Sequence, residues 1–348
     1  MIYARLADDP ESAIASALRG GAAGVEVATS GSSGTPRVVR ISTDSLLASA
    51  EAAHRRLSGP GRWLLALPTD HIAGAQVLVR SALAGTEPLR LTPGTFTPES
   101  FLMAAGELFD STPGEVPRYC SLVPTQLRRL LASDLRGVLD RFSAILVGGA
   151  PLSLPREALP TSVVETYGAT ETGGGCVYDG LPLDGVRADV DGEGRVSIGG
   201  DVVADGYADG DDEAFSSREG LRWYRTPDLG VWDGGVLRIH GRADDVINTG
   251  GHKVNPADVE RALLALPGID QAVVGGAPDP EWGCRVVAVV VSSHDPAPTT
   301  EQIRKALAGT LPPEALPREV RAVRSLPLLP SGKIDRTAIP ESPGVEEA

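Results

Sequence analysis

Short β-rich apolar runs alternate with helical patterns from residue 24 to residue 167. The runs occupy 24–28, 63–67, 119–123, 144–147 and 163–167. Residues 43–57 place Leu46, Leu47, Ala50, His54 and Leu57 along one helical face, and 125–131 carries a second helical pattern. Alternating strands and helices need crossover connections. The pattern therefore predicts a largely parallel, buried sheet with ligand-binding loops at its strand ends. The run at 24–28 reads as one of its strands and 29–37 as one of those loops.

After Tyr167 the texture changes to turns and short strands. Asp191-Gly192-Glu193-Gly194 separates two alternating runs, and Asp233-Gly234-Gly235 separates two more, so both segments read as hairpins. Beyond residue 245 come a helix opening near Asn255-Pro256, strands around 271–275 and 285–291, a helix from about Thr300 and a Pro-rich end. The expected fold class is α/β. A large N-terminal domain, residues 1–243, would hold the mostly parallel sheet and a β-rich subdomain. A small α+β domain would occupy 244–340, and 341–348 would form an acidic tail.

Composition narrows the partners. The 348 residues are 42% hydrophobic, enough for two domains, and no apolar run is long enough to span a bilayer. The start lacks a basic segment followed by an apolar one, so a cytoplasmic location is expected. Cys120, Cys176 and Cys284 are widely separated and read as free thiols. The net charge of −14 repels polyanions, which excludes nucleic acid and anionic membrane as broad partners. Any phosphate must then be held by local cations. Lysine occurs only at 253, 305 and 333, and Lys305 sits in an amphipathic helix pattern.

Thr29, Ser30, Gly31, Ser32, Ser33, Gly34, Thr35, Pro36 and Arg37 form a run of hydroxyls, glycines and one cation. Glycines let backbone N–H groups turn toward an anion, and hydroxyls add donors, so the run suits phosphate oxygens. It matches neither the P-loop nor G-x-G-x-x-G. By composition alone a flexible linker fits it equally well.

Further segments decide the matter: Tyr167-Gly168-Ala169-Thr170-Glu171, Tyr224-Arg225-Thr226-Pro227-Asp228, Gly241-Arg242-Ala243-Asp244-Asp245 through Gly250-Gly251, and Pro330-Ser331-Gly332-Lys333-Ile334-Asp335-Arg336. In this order and spacing, with Trp282-Gly283, they resemble the adenylate-forming superfamily of acyl-CoA ligases, peptide-synthetase adenylation domains and luciferases. The resemblance covers roughly residues 24–340. Within it, Leu67-Pro68 followed by His71-Ile72-Ala73-Gly74, and the stretch 167–185, resemble the o-succinylbenzoate–CoA ligases of menaquinone biosynthesis.

That resemblance implies an acid, ATP and CoA as substrates, Mg²⁺ as the metal, and two steps through an acyl-adenylate. It implies that Thr29, Ser30, Gly31, Ser32, Ser33, Gly34, Thr35 and Arg37 hold the outer phosphates, that Thr170 meets the α-phosphate, and that Glu171 holds Mg²⁺. Gly148, Gly149 and Ala150, with Tyr167 and Gly168, would wall the nucleotide; Asp228 would bind the ribose, with Arg242 beside it. Lys333 would join the attacking carboxylate to the α-phosphate. Asp244 would be the hinge of a mobile C-terminal domain, and Gly250 and Gly251 would admit the thin pantetheine arm. His71 is the candidate pocket residue for the acid, although a lone His beside apolar residues also fits a core role. Arg80, nine residues on, is the candidate partner for a second carboxylate.

Arg37, Pro227 and Asn248 depart from the residues common in the family, and the N-terminal part is shorter than in typical members. A homodimer supplying the missing pocket wall is one expectation. A ligase for another aryl or small acid, a stand-alone adenylation enzyme, and a nucleotide-binding relic without turnover are the alternatives.

Overall fold

The computed structural model describes residues 2–29, 37–92, 94, 96–152, 154–327 and 334–341. It opens with β1 (Tyr3–Arg5) and α1 (Pro10–Leu18), the latter capped by the Asp9 carboxylate. β2 (Gly24–Ala28) pairs in parallel with β1 and antiparallel with β3 (Val38–Ser42), Ala28 facing Val38. Residues 24–28 are therefore not a strand of the parallel sheet, and Thr29 and Arg37 flank a hairpin connection instead of a crossover. The cause lies at 38–42, where fully buried Val39 and Ile41 alternate with half-buried Val38 and Arg40. A strand so close in sequence pairs with little loop-closure cost.

α2 (Thr43–Arg56) starts on Ser42, whose hydroxyl accepts the Ser45 N–H at 3.2 Å, and ends on His54, Arg55 and Arg56 at the negative end of its dipole. There follow β4 (Arg62–Leu65), α3 (Ile72–Leu83), β5 (Leu89–Arg90), α4 (Pro98–Ser111), β6 (Arg118–Leu122), α5 (Pro124–Ala132), α6 (Arg136–Leu139), β7 (Ala144–Gly148), β8 (Val163–Ala169), β9 (Gly174–Tyr178) and β10 (Leu181–Pro182). The sheet order is β10-β9-β8-β7-β6-β4-β5. Strands β5, β4, β6, β7 and β8 are parallel; β9 pairs antiparallel with β8, and β10 antiparallel with β9. Period-two alternation buries both faces. Trp63, Leu65, Tyr119 and Leu146 join the core shared with α2 and α3, whereas Leu64, Cys120, Leu122 and Val147 join the core shared with α4 and α5.

The β-rich part holds both expected hairpins. β11 (Arg187–Val190) pairs with β12 (Arg195–Gly199), and, after β13 (Gly206–Tyr207) and β14 (Phe215–Arg218), the long β15 (Leu221–Asp233) pairs with β16 (Val236–Arg242). β13 returns to the first sheet, where Tyr207 faces Val39 of β3.

β17 (Ile247–Thr249) and β18 (His252–Val254) then lead to α7 (Pro256–Leu264), which is capped by Asn255. α7 and α8 (Thr300–Leu307) pack on a sheet ordered β19 (Ile269–Asp279), β20 (Gly283–Ser292), β21 (Glu319–Ala322). Val259, Leu263, Val274, Ala288 and Ile303 give this unit its own core. No helix among the described residues is long and apolar enough to cross a membrane. Residues 342–348, expected as a tail, lie outside the described set.

Candidate active site

All parallel strands point their carboxyl ends to one edge, and most of the candidate residues collect there. Gly148 and Gly149 leave β7; a Cβ on Gly148 would meet the Thr166 hydroxyl at 2.3 Å, so only glycine fits against β8. β8 ends in Tyr167, Gly168 and Ala169, and a single 3-10 turn, Thr170–Thr172, follows. That turn closes on Gly173 with φ 61°. The Gly173 carbonyl accepts from Ser49 of α2 at 3.1 Å and from Gln76 of α3 at 2.9 Å, anchoring the Thr170–Glu171 corner to two helices.

Glu171 is 8% exposed. Its Oε1 accepts from the Tyr207 hydroxyl at 2.9 Å, and Oε2 makes no hydrogen bond or ion pair among the described residues. This is a sheltered carboxylate with one oxygen held and one offered. On β15, Asp228 accepts from the Tyr167 hydroxyl at 2.7 Å and lies 3.8 Å from Arg242. Burial pushes the Asp228 carboxyl above its ordinary value, and Tyr167 and Arg242 pull the other way. Burial and the Asp228 charge raise Tyr167 well above a free phenol, so it remains a donor. Arg242 also forks onto Asp244 at 2.9 and 2.5 Å.

At the hairpin, the Thr29 N–H donates to the Arg37 carbonyl at 2.7 Å, and the Arg37 N–H donates back to Thr29 Oγ1 at 2.9 Å. Ser30, Gly31, Ser32, Ser33, Gly34 and Thr35 lie outside the described residues, as does Lys333. The Arg37 guanidinium stacks 3.4 Å from the Tyr207 ring centroid and pairs with Asp209 and Asp211. Its charge, expected to serve phosphate, is engaged by carboxylates in this structure.

The C-terminal unit rests on the same edge. Ile334, next in sequence to Lys333, lines a cleft with Pro124, Ala150, Pro151, Leu264 and Ala272. Arg336 makes a two-pronged pair with Glu260 at 2.7 and 3.0 Å, donates to the Val274 carbonyl and lies 3.9 Å from Asp245. Gly250 and Gly251 sit apart from this group, in the β17–β18 turn, with φ of 56° and 83°. A Cβ on Gly250 would meet the Trp282 ring at 2.5 Å.

His71 occupies the N-cap position of α3, with Nδ1 3.5 Å from Asp70. Arg80 lies nine residues on, about 13 Å along the helix. It is 3% exposed, its guanidinium is 5.2 Å from the Trp63 ring centroid, and it makes no hydrogen bond or ion pair with any described residue. The Arg80 charge is felt by His54 and Tyr178, and His54 Nε2, Trp63 Nε1 and Tyr178 Oη are buried without a hydrogen-bond partner among the described residues. Burial, and after it the Arg80 charge, push His54 below its ordinary value. A buried guanidinium with no counter-ion among the described residues, beside the unpartnered Trp63 indole N–H, is a costly arrangement that an anion would relieve.

Sequence reasoning missed Tyr207, Trp63, Tyr178 and Glu260. Tyr178 lies in the 167–185 stretch, but its side chain was given no role there; Tyr207, Trp63 and Glu260 stand in no motif and are brought in by strand pairing or helix packing.

These features, a parallel-sheet edge carrying Thr170 and Glu171, with Asp228 of β15 bonded to Tyr167 there and a separate C-terminal unit against it, define a nucleotide-handling enzyme, and the comparisons name the family. Residues 27–205 match the AMP-binding enzyme family and 258–333 match the AMP-binding enzyme C-terminal domain. The chain belongs to the AMP-binding enzyme family. It is 43% identical over 330 residues to the "Probable 2-succinylbenzoate–CoA ligase" of Mycobacterium tuberculosis (strain CDC 1551 / Oshkosh), covering 90% of this chain and 82% of that protein. It is 32% identical over 285 residues to the 2-succinylbenzoate–CoA ligase of Bacillus velezensis, covering 73% and 56%. Among solved structures it is similar to the o-succinylbenzoate CoA synthetase of Bacillus subtilis in complex with the acyl-adenylate intermediate. There the TM-score is 0.75 at 26% identity, over 93% of this chain and 70% of the other. The same synthetase in complex with ATP and magnesium ion gives a TM-score of 0.72 at 27% identity, over 90% and 69%.

Proposed function

We propose that this protein is a cytoplasmic, AMP-forming acyl-CoA ligase of menaquinone biosynthesis. It converts o-succinylbenzoate, ATP and CoA into o-succinylbenzoyl-CoA, AMP and diphosphate. The names of its relatives support the reaction class. The observation that carries the acid is Arg80: a buried guanidinium with no counter-ion among the described residues, two and a half helical turns below His71, suits a second carboxylate held deep in the fold while the first reaches the catalytic edge.

In this reading the acid's reacting carboxylate attacks the α-phosphorus of ATP, diphosphate leaves, and the CoA thiol then displaces AMP. Both steps gather negative charge, so oriented donors and cations carry the catalysis. Thr170 meets the α-phosphate and Lys333 bridges it to the carboxylate. Asp228, already ordered by Tyr167, receives the ribose hydroxyls, with Arg242 alongside. The hydroxyl-rich run from Thr29 to Arg37 holds the leaving diphosphate, and Gly148, Gly149 and Ala150, with Gly168, wall the base. The free oxygen of Glu171 fits magnesium, which takes one or two carboxylates beside phosphate oxygens; when bound it supplies positive charge at the outer phosphates. Asp244 is the pivot between units 1–243 and 244–340, about which Gly250 and Gly251 come round for the CoA step. Its fork with Arg242 is then a contact that must loosen.

The test is mass spectrometry of AMP and thioester formed with ATP, Mg²⁺, CoA and an acid panel. O-succinylbenzoate should react, and benzoate and succinate, each carrying half of its groups, should not. Equal turnover of benzoate would overturn the assignment of the acid.

A further inference from the structure

Tyr207 stands between two parts of the site. It lies on β13, directly beside β3, and its N–H donates to Asp212 Oδ1 at 2.8 Å. The preceding Gly206 has φ 145°, and a Cβ there would come within 2.3 Å of the same Asp212 oxygen, so the backbone entering Tyr207 is tightly defined. The ring is 7% exposed and packs edge-on against Phe215 at 5.2 Å. One face carries the Arg37 guanidinium at 3.4 Å, and the hydroxyl donates to Glu171 Oε1 at 2.9 Å. A phenol O–H beside a carboxylate oxygen donates to it, so Tyr207 is the donor of this pair.

A carboxylate turns easily about its last torsion, where the wells are broad and two-fold. In a site that uses one oxygen for a cation, a donor on the other oxygen decides which way the group faces. We propose that Tyr207 is a positioning residue: its hydroxyl holds Glu171 with one oxygen toward the phosphates, while its ring seats Arg37, so one side chain aligns the cation-holding carboxylate with the end of the diphosphate loop. The proposal rests on the reading of Glu171 as the carboxylate that takes the divalent cation. It adds a residue that touches neither nucleotide nor metal.

The test is a titration of Mn²⁺, followed by its electron paramagnetic resonance, onto full-length protein saturated with α,β-methylene-ATP. Tyr207→Phe keeps the ring and the Arg37 stack and removes the donor. It should weaken Mn²⁺ binding roughly 10-fold, the order expected for a hydrogen bond to a charged group, while nucleotide affinity in chelator stays within about two-fold. Tyr207→Leu, which also removes the ring, should weaken nucleotide binding in chelator as well. Unchanged Mn²⁺ affinity in Tyr207→Phe would overturn the proposal, and so would an equal loss of nucleotide affinity in chelator, which marks a merely structural role. Glu171→Gln separates the two levels. If that variant also binds Mn²⁺ normally, the reading of Glu171 is at fault. If it loses Mn²⁺ and Tyr207→Phe does not, only the Tyr207 inference falls.

Discussion

Replacing Arg80 by Met should improve the empty protein and ruin its use of the acid. The guanidinium is 3% exposed and has no described counter-ion. Even after relaxation a buried unpaired ion costs several kcal/mol, and replacing buried charge by a well-packed apolar chain is often neutral or stabilising by about 1–4 kcal/mol. Met keeps the unbranched stem against Trp63 and drops the charge. Urea unfolding of the acid-free protein should therefore show unchanged stability or a gain of about 1–2 kcal/mol. The bound acid loses a close charge pair, on the order of 4 kcal/mol at 4 Å in an effective dielectric of about 20, or about 3 kcal/mol as a charge-assisted hydrogen bond. At about 1.4 kcal/mol per decade this is a 10²- to 10³-fold rise in KM for the acid. The KM for ATP should stay within about two-fold. Arg80→Lys should fall between, keeping charge without the fork. Diphosphate release against acid concentration, with urea titrations with and without the acid, measures both halves. An unchanged KM for the acid, or a destabilised empty protein whose KM values for acid and ATP rise together, would refute the argument.

Other expectations concern the catalytic edge and the C-terminal unit. Lys333→Ala should slow adenylation by on the order of 10² or more while sparing thioester formation from supplied acyl-adenylate; equal losses in the two half-reactions, measured by stopped assays, would count against its role. Asp228 has a raised folded-state value, so its ionised form is disfavoured by folding: the penalty is absent at low pH and grows as pH rises above the ordinary value of 3.8. Asp228→Asn should gain stability over wild type from acid to neutral pH and lose nucleotide binding, and a pH-independent gap in urea midpoints would contradict this. Arg336→Met strands Glu260, which is 9% exposed, and should cost about 3–5 kcal/mol, read as faster hydrogen exchange in α7 and β19. The double change Arg336→Met with Glu260→Met should recover part of that loss; no recovery would show that the pair is not the cause.

The sequence was informative where periodicity and turn chemistry are local. The parallel strands, α2, the two hairpins of the β-rich part and the Asn255-capped helix all follow from spacing and caps within a few residues. It misled at 24–28, because a strand's sheet depends on which neighbour closes first, and Val39 and Ile41 on β3 outcompete the distant β4. Motif order singled out Thr170, Glu171, Asp228 and Arg242 as candidates. It could not show that Asp228 and Glu171 each receive a tyrosine hydroxyl, since Tyr167 and Asp228 are 61 residues apart and Tyr207 and Glu171 are 36 apart.

By itself the chain determined its family and the alternation that buries both faces of its sheet, because those depend on identity and near-neighbour spacing. Tertiary structure decided the environment of each charge. Arg37 and Arg80 are both arginines beside candidate motifs, yet Arg37 ends half-exposed against Asp209 and Asp211 while Arg80 ends buried with no ion pair to a described carboxylate. That difference is set by which helix and which hairpin each sits on, a matter of tertiary packing that neighbouring residue identities do not encode.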